Sequence, residues 1–521
     1  MNHRGDAPNS VDHQVSALAA PFDAAARSHR GKVRAPSVGN PLEKASGGGS
    51  LARRYGIGGD KRHLRACYTP FVDPPSDSRP LDPGPSPRLV GLAELLRTHG
   101  GFADVVQSLH EGHGATIGGT WGSSSALAVA ALARELGAER ILVVVLPHAI
   151  DAERFVDDLA LFTELTVAHL PALETFADGD DAAAEDPATA GRLLLVKRLT
   201  QGGGDRPKIV VTSIQALLPA LADPREIEAS TRRLAVGGRL DPQELADWLG
   251  SRGWRAVDAL EAPGTFARRG GIVDLFAFDW DRPVRVELDG DEIESLRTFD
   301  IVSQRSVATL EAIDLTALAS LPRPAAAGAP QPAGKRGGPK GSASPGPVPE
   351  RRTQLADIVP DGSWWALVEP GELADEARRT FERLGADVGL SEPEEVFRRI
   401  YRFPSVTLAA VAPSSLEASA TLSVESVERF TGVLDRVRDE LETVGRDQEV
   451  WVVCPSEAEE ARLSELLATS APARTGRLHF ARGHLSGGFR LVPERLVLVS
   501  SAELFRREDV PARAPRQRLS R

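Results

Sequence analysis

A loop rich in glycine and serine is the first segment of this sequence whose residue types could do chemistry. It reads GGTWGSSSAL over residues 118–127 and precedes an alanine-rich helical pattern, where a phosphate-binding loop would connect a strand to a helix. Such a loop follows the pattern G-x-x-x-x-G-K-[ST]. Its backbone N–H groups hold the phosphates, its lysine reaches the terminal phosphates and its hydroxyl binds magnesium. If Gly119 is the first glycine, the later positions hold Ser124, Ser125 and Ala126, so the second glycine, the lysine and the hydroxyl are missing.

Without the lysine charge, this loop is expected to have no useful ATP affinity. The residues of the predicted vestigial phosphate loop are Gly119, Gly122, Ser123, Ser124 and Ser125. Two interpretations stay open. The loop is either a turn that has lost its ligand, or a turn whose N–H groups still bind an anion at a helix N-terminus. We predict no cofactor and no metal for this chain.

A basic hairpin is the second candidate. RRGGIVDLF begins at Arg268 and Arg269, and the following segment PVRVELDGDEIESLRTF supplies Arg285. A hairpin with solvated charges and glycine bends explains the pattern without any function. Alternatively, the segment is a protein-docking face. Arginine makes bidentate bonds to carboxylates, and a few arginine or aromatic side chains often dominate a protein interface.

Other reactive side chains lack a complete site around them. His110 and His113 could share a helix face, but no carboxylate or cysteine stands at metal-site spacing. The serines at 123–125 lack the G-x-S-x-G pattern of a nucleophile elbow. Trp364 and Trp365 could stack on nucleic acid, although a place in the core explains them better.

The composition limits the class of protein. The chain has 521 residues, of which 41% are hydrophobic and 26% charged, as expected for three or four soluble domains. Its net charge of −11 excludes a strongly basic nucleic-acid surface over the whole chain. No apolar run approaches the roughly 18–20 residues of a membrane span, and the N-terminus has no apolar signal core. The two distant cysteines, Cys67 and Cys454, exclude a disulfide framework, so we expect a cytoplasmic protein that contacts no membrane.

The periodicity predicts an α/β domain in the first half of the chain. Residues 1–85 are rich in Gly, Pro, Ser and Arg and are expected to be a disordered N-terminal extension. From 86 to 231, apolar runs such as ILVVVLP and KIVVTSI alternate with helical patterns. Continuous Val, Ile and Leu strands between helices are typical of a parallel sheet covered on both faces. The expected fold class is therefore α/β, with a doubly wound parallel sheet.

The sequence pattern changes at residue 232. Alternating apolar positions predict antiparallel strands with a turn at Asp289-Gly290, and Asp241 before a proline predicts a helix start. We interpret 232–312 as a compact α+β module inserted into the α/β domain. The remaining predicted parts are the second part of the α/β domain (313–428) with a Pro/Gly/Ala linker (322–350), a small α/β domain (429–507) and a basic tail (508–521).

The hairpin segment closely resembles the UvrA-interaction module that the excision-repair protein UvrB shares with the transcription-repair coupling factors (Mfd). The resemblance rests on RRGGIVDLFAF, GDEIES and the closing FDIVSQRS. UvrB keeps an intact phosphate loop, whereas this chain does not, and LPALET and RLAVGGRLDPQELADWLGSRGW also resemble the coupling factors. The resemblance runs from about 86 to 507 and is strongest at 232–306. It implies a degenerate P-loop NTPase-like sheet and makes Val368-Glu369-Pro370 a decayed counterpart of a magnesium-binding Asp-Glu pair.

The resemblance implies that the chain binds UvrA and recruits nucleotide excision repair to RNA polymerase stalled at a DNA lesion. By that resemblance, Arg269 and Arg285 align with arginines that contact UvrA, whereas Asp289 replaces an aromatic contact, so affinity is expected to be reduced. Nothing here resembles the polymerase-binding domain or the ATP-driven DNA translocase of full-length relatives, whose partners also include RNA polymerase and double-stranded DNA. We therefore expect a non-enzymatic N-terminal part of a coupling factor. The alternative is a UvrB-like, ATP-dependent enzyme that binds damaged DNA.

Overall fold

The computed structural model describes most of the chain after residue 86. The described residues are 87–173, 187–200, 206–318, 353–384, 389–411, 418–427, 434–445 and 447–505. The predicted disordered extension, the Pro/Gly/Ala linker and the basic tail lie outside these residues, as does Cys67.

Strands and helices alternate along the first part of the described chain, as the periodicity predicts. The strands are β1 (Ala115–Gly118), β2 (Leu142–Leu146), β3 (Val167–Leu170), β4 (Ile209–Ser213), β5 (Thr231–Ala235), β6 (Arg255–Ala256), β7 (Thr265–Arg269), β8 (Ile272–Phe276), β9 (Val284–Asp289), β10 (Glu292–Phe299), β11 (Ser306–Leu310), β12 (Ala312–Thr316), β13 (Trp364–Val368), β14 (Ser405–Ala409), β15 (Ala418–Thr421), β16 (Val424–Ser426), β17 (Glu449–Cys454), β18 (Leu478–Arg482), β19 (Phe489–Leu491) and β20 (Leu496–Ser500). The helices are α1 (Pro87–Leu95), α2 (Phe102–His110), α3 (Ser124–Glu135), α4 (Ala149–Phe162), α5 (Pro187–Thr200), α6 (Ile214–Leu217), α7 (Pro224–Ala229), α8 (Pro242–Gly250), α9 (Pro370–Leu384), α10 (Pro393–Ile400), α11 (Leu434–Val444), α12 (Glu457–Leu467), α13 (Ala471–Arg474) and α14 (Ser501–Leu504). No helix among the described residues is long and apolar enough to cross a membrane.

A seven-stranded sheet in the order β15-β1-β14-β13-β2-β4-β3 is the largest element, and all of its neighbouring strands are parallel. Alternate residues of one strand enter opposite cores: Leu142 and Val144 pack with α3 and α4, whereas Val143 packs with α5, α9 and α10. Both faces are covered, and central strands such as β2 and β13 are continuously apolar. The predicted α/β class with a parallel sheet is thus confirmed.

The tryptophan pair lies in this sheet. Trp364 and Trp365 are neighbours on β13 and enter opposite cores, and neither side chain has any exposed surface. The predicted place in the core is confirmed, and stacking on nucleic acid is wrong because neither ring face is accessible. Two strands of the same sheet, β14 and β15, follow in a stretch whose sequence pattern predicts no strand.

A six-stranded sheet in the order β11-β10-β9-β8-β7-β6 follows β5. Its neighbouring strands are antiparallel, as predicted, except that β6 and β7 are parallel. Asp241 caps α8 by accepting the N–H groups of Gln243 and Glu244, which confirms the predicted helix start. The segments that lead into and out of this part, β5 and β12, pair as a two-stranded antiparallel ribbon, in which Thr231 lies opposite Thr316. The pairing continues four residues beyond the predicted end at 312.

A buried ion pair joins the six-stranded sheet to helix α5. The Lys197 ammonium lies 2.6 Å from Asp279 and 3.0 Å from the hydroxyl of Thr316, and both charged side chains are at least nine-tenths buried. Thr316 also shares a hydrogen bond of 2.9 Å with Thr231 across the β5–β12 ribbon. A buried charge needs its partner, because an unpaired one costs several kcal/mol. These contacts therefore hold the β5–β12 ribbon against helix α5.

A third, five-stranded sheet has the order β16-β19-β20-β17-β18. Strand β17 pairs in parallel with β18 and β20, whereas β16 and β19 complete the sheet in antiparallel pairing. Strand β16 ends at Ser426, so this sheet begins before the predicted boundary at residue 429.

Helix α4 contacts the five-stranded sheet through a buried carboxyl group. Asp158 accepts the backbone N–H of Ser486 at 2.8 Å and the hydroxyl of Ser486 at 2.5 Å. Burial raises the pKa of Asp158 to about 7, although the bonds to Ser486 and Ser123 oppose the shift. The carboxyl group therefore holds a proton at pH values where an exposed aspartate would be ionised.

We predict that Asp158 makes the chain less stable as the pH rises from about 4 to about 7. In the unfolded chain the carboxyl group loses its proton near pH 4, whereas the folded chain holds it until about pH 7. The stability from this group is therefore fully present below about pH 4 and lost above about pH 7, a loss of roughly 4 kcal/mol. Urea unfolding of the full chain at several pH values measures it.

In the Asp158→Asn variant, this part of the pH dependence should vanish. Glu153→Gln is the control, because Glu153 is an exposed carboxylate on the same helix. If the native chain and the Asp158→Asn variant show parallel pH profiles, Asp158 does not carry the buried proton.

Candidate docking face and glycine-rich loop

Two adjacent glycines shape the hairpin that carries the predicted arginines. Arg269 at the end of β7 lies opposite Ile272 at the start of β8, so Gly270 and Gly271 alone form the turn. Gly270 has φ = +60°, a conformation that favours glycine. A Cβ atom on Gly271 would lie 2.9 Å from the carbonyl oxygen of Leu288, whose N–H donates to Gly271 at 2.8 Å. The double glycine is therefore required both for the turn and for the approach of β9.

The three predicted contact residues lie on one face of this sheet. Residues directly opposite in antiparallel strands share a face, and alternate residues along a strand do too. Arg269 lies opposite Ile272, Ile272 opposite Glu287, and Asp274 opposite Arg285. Asp289 follows Glu287 by two residues, at the end of β9. We call this surface the β7–β9 face, defined by Arg269, Ile272, Asp274, Arg285, Glu287 and Asp289.

Arg269 is the accessible cation of the β7–β9 face. Its side chain is exposed, and its guanidinium group donates to the carbonyl oxygen of Asp258. The adjacent Arg268 is also exposed and donates to the Gln243 side chain at 2.9 Å. Within the part of the chain that the structure describes, neither arginine forms an ion pair with a carboxylate. Ile272 lies beside them with 37% of its surface exposed, so the hairpin tip combines free positive charge with an apolar contact.

Arg285 is held in place by its neighbours. Its Nε and Nη2 atoms donate to the two carboxylate oxygens of Asp274 at 2.7 and 2.8 Å, and Nη2 also donates to Gln304 at 3.2 Å. The guanidinium carbon lies 4.6 Å from the centre of the Phe299 ring, a cation–π distance. The side chain is 21% exposed, and the hydrogen bond to Asp274 raises the pKa of Arg285. Arg285 thus offers only one edge of a fixed, locally neutralised guanidinium group.

Sequence reasoning missed the residues that hold Arg285. Asp274, Phe299 and Gln304 lie 11, 14 and 19 residues away, and only the strand register brings them together. A usable signal was present, because a two-residue turn at Gly270-Gly271 fixes the register of β7 against β8. The register of β8 against β9 depends on the longer connection at 277–283 and could not be counted in the same way.

Asp289, the third predicted contact, is exposed beside a tight turn. It pairs with Glu292, and Gly290 between them has φ = +62°. This confirms the predicted turn at Asp289-Gly290. Leu288 before it is partly buried against the core of the six-stranded sheet, so Asp289 places a carboxylate at the edge of the β7–β9 face.

The glycine-rich loop joins β1 to α3, at the carboxyl edge of the parallel sheet. Gly119 and Gly122 have φ values of +75° and +54°. The Thr120 N–H donates to the Ala409 carbonyl at 3.3 Å, and the Trp121 N–H donates to the hydroxyl of Ser124 at 2.8 Å. Ser123, Ser124 and Ser125 are buried.

A second loop, between β18 and β19, is hydrogen-bonded to this one. The Ser123 N–H donates to the carbonyl oxygen of Gly487 at 2.9 Å, and the Gly487 N–H donates back to the Ser123 hydroxyl at 3.1 Å. The hydroxyl groups of Ser123 and Ser486 are 3.3 Å apart. Backbone N–H groups of such a loop are the groups that would hold a phosphate. Here the N–H of Ser123 already has a partner from the five-stranded sheet.

The other predicted reactive residues have structural partners. Glu369 has φ = +49°, and its carboxylate accepts the Ala410 N–H at 2.8 Å, which links the ends of β13 and β14. His110 contacts the buried Trp364 ring edge-on, with ring centres 4.9 Å apart. No group of three or more His, Cys, Asp or Glu side chains is arranged to hold a metal within the described ranges.

A family model and several curated proteins match parts of this chain. A family model described as the UvrB interaction domain matches residues 233–320. The transcription-repair-coupling factor of Bacillus subtilis (strain 168) is 30% identical over 226 residues, which cover 43% of this chain and 19% of that protein. The corresponding protein of Myxococcus xanthus is 34% identical over 228 residues, covering 42% and 19%. UvrABC system protein B of Fervidobacterium nodosum (strain ATCC 35602 / DSM 5306 / Rt17-B1) is 28% identical over 143 residues, covering 27% and 20%.

These matches agree with the resemblance inferred from the sequence. The chain spans about a fifth of the length of the curated relatives it matches. The six-stranded sheet and the whole β7–β9 face lie inside the residues matched by the family model. Residues 233–320 of this chain therefore match the UvrB interaction domain, and about two fifths of the chain are similar to transcription-repair-coupling factors.

Proposed function

We propose that this chain binds UvrA through the β7–β9 face and so recruits nucleotide excision repair to RNA polymerase stalled at a DNA lesion. The observation that carries the proposal is the state of Arg269, an exposed cation with no carboxylate partner in the described residues, beside an exposed Ile272. The function itself rests on the match to the UvrB interaction domain and on the similarity to transcription-repair-coupling factors.

The two arginines would serve UvrA in different ways. Arg269 can exchange its bond to a backbone carbonyl for a bond to a partner carboxylate, in which both groups are charged and the pairing can be bidentate. Arg285 is already fixed by Asp274 and Phe299, so it loses little side-chain entropy when a partner binds. Asp289 contributes a carboxylate where relatives are expected to offer an aromatic ring, so we propose a weaker interaction than theirs.

We also propose the following division of the chain. Residues 86–231 and 313–428 form one α/β domain, into which the module at 232–312 is inserted through the β5–β12 ribbon. A small α/β domain occupies 429–507, and β16 adds the residues just before it. For full-length relatives, the resemblance assigns RNA polymerase, double-stranded DNA and ATP-driven translocation to segments that this chain does not match. We propose UvrA as the direct partner of the residues present here and no ATP hydrolysis by them.

A UvrB-like, ATP-dependent enzyme is the second candidate. The similarity to UvrABC system protein B favours it. Two features of the loop oppose it. Ser125 stands where the lysine of a phosphate loop is required, and the peptide at Gly487 takes the N–H of Ser123.

Removing both arginines should weaken UvrA binding. Anchor residues each contribute about 1–2 kcal/mol or more, so the Arg269→Ala, Arg285→Ala double variant should raise the Kd by at least about tenfold. Titration of purified UvrA against the immobilised full chain measures the change. The control is Arg233→Ala, an exposed arginine on β5 that pairs with Asp314. Equal retention of UvrA by the double variant and the native chain would remove the arginines from the proposal.

Asp274 should act on UvrA only through Arg285. Asp274→Asn removes the charged acceptor that orients the guanidinium group, so it should lose most of the affinity that Arg285→Ala loses. The Asp274→Asn, Arg285→Ala double variant should then lose little more affinity than either single variant, because the effects of residues in one hydrogen-bond network are not additive. Glu244→Gln, which removes the ion pair between Glu244 and the half-buried Arg232, is the control. Additive losses, or tighter binding by Asp274→Asn, would show that Asp274 does not position Arg285.

Restoring the missing lysine should not restore nucleotide binding. In a Ser125→Lys variant the cation returns, but the Ser123 N–H still bonds to Gly487 and the loop stays closed. Calorimetric titration with ATP and magnesium should give no saturable binding in the micromolar range for either the native chain or the variant. Micromolar affinity in the native chain would instead support the UvrB-like enzyme.

A further inference from the structure

Two glycine-containing loops meet at the boundary between the parallel sheet and the five-stranded sheet. One is the 119–123 loop after β1, and the other is the 483–488 loop between β18 and β19. They are more than 360 residues apart in the chain. Three hydrogen bonds connect the two loops. The Ser123 N–H donates to the Gly487 carbonyl oxygen, the Gly487 N–H donates to the Ser123 hydroxyl, and the hydroxyl groups of Ser123 and Ser486 share the third bond.

The two backbones are in direct contact. A Cβ atom on Gly122 would lie 2.6 Å from the Gly487 carbonyl oxygen and 2.9 Å from its carbonyl carbon. A Cβ atom on Gly487 would lie 3.0 Å from the Gly122 Cα atom. Cβ atoms almost never lie closer than 3.0 Å to other non-bonded atoms. Position 122 therefore accepts only glycine without a shift of the backbone, and position 487 has almost no room for a side chain. Gly122 also has a positive φ, so its identity is required twice.

Polar and apolar contacts continue outward from this point. Ser486 donates its N–H and its hydroxyl to the buried carboxyl group of Asp158. A Cβ atom on Gly483 would lie 2.6 Å from a methyl carbon of Leu161, and the rings of Phe162 and Phe489 are 6.2 Å apart. Helix α4 thus shares one core with the five-stranded sheet.

We propose that the 119–123 loop is an internal docking site whose ligand is the Ser486-Gly487 peptide of the same chain, and that this contact holds the five-stranded sheet on helices α3 and α4. The chemistry of the ligand explains the residues of the loop. A phosphate loop binds a nucleotide with both N–H donors and a lysine, whereas a neutral peptide carbonyl needs only the donors. The loop retains the Ser123 N–H as a donor, and a buried serine, Ser125, stands at the lysine position. Gly122 allows the Gly487 backbone to come into direct contact with the loop.

Reciprocal changes in hydrogen exchange test this docking. In the full chain, Gly122→Ala should speed amide exchange of the 484–489 segment, and Gly487→Ala should speed exchange of the 119–127 segment, each by about tenfold or more. The reason is that undocking exposes both partners at once. Mass spectrometry of peptic peptides reads both segments in one experiment.

Matched controls separate docking from backbone strain. Gly112→Ala places alanine at φ = +91° with open space around it, and Gly371→Ala adds a methyl group without contacts. Neither should change exchange in the two loops. A milder pair, Ser123→Ala and Ser486→Ala, removes the hydroxyl bonds without a clash and keeps the test usable if a glycine variant does not fold. For this pair, a rise of about threefold or more in the opposite segment supports docking.

Exchange that rises only around the substituted residue, or that rises equally in the controls, would overturn the proposal. The outcome does not depend on UvrA, because the β7–β9 face lies on a different sheet and no partner is added.

Discussion

The parallel sheet must be covered on both faces, and the rest of the structure follows from how that is done. Strands β2 and β13 send alternate side chains into two separate cores, so each face needs its own helices. Helices α2, α3 and α4 cover one face, and α5, α9 and α10 cover the other. The outer surfaces of these helices then become the places where the other two sheets attach. The six-stranded sheet is fixed through Lys197 on α5, and the five-stranded sheet through Asp158 on α4.

Both attachments bury a titratable group, but they use it differently. Lys197 lies 2.6 Å from the carboxylate of Asp279, so the two groups form an ion pair. Asp158 meets hydroxyl and amide donors with no cation among the groups that shift it, so burial favours its protonated form. The first contact suits a permanent junction, because breaking a buried ion pair leaves an uncompensated charge. The second depends on proton binding, so its strength changes across the pH range near neutrality.

The sequence predicted those parts of the fold whose signals are local. ILVVVLP and KIVVTSI are apolar enough to be read as buried strands, and Asp241-Pro242 marks a helix start by its capping chemistry. Strands β15, ASAT, and β19, FRL, carry no such signal, because they are short and owe their pairing to distant neighbours. The same limit applies to the sites. Arg269 and Arg285 were found by their types and by resemblance. Asp274 depends on strand register, and Gly487 lies 364 residues from Ser123.

The state of the glycine-rich loop gives a physical reason why phosphate binding and docking exclude each other. A phosphate held at this loop would need the N–H of Ser123, which the Gly487 carbonyl already occupies, and would need space that the Gly122–Gly487 contact fills. A nucleotide could bind only after the Ser486–Gly487 peptide leaves, and its observed affinity would fall by the fraction of molecules in the open state. Undocking would also separate Ser486 from Asp158 and expose part of the core shared with α4. The missing lysine is therefore consistent with a loop that keeps its backbone geometry because a neutral peptide of the same chain requires it.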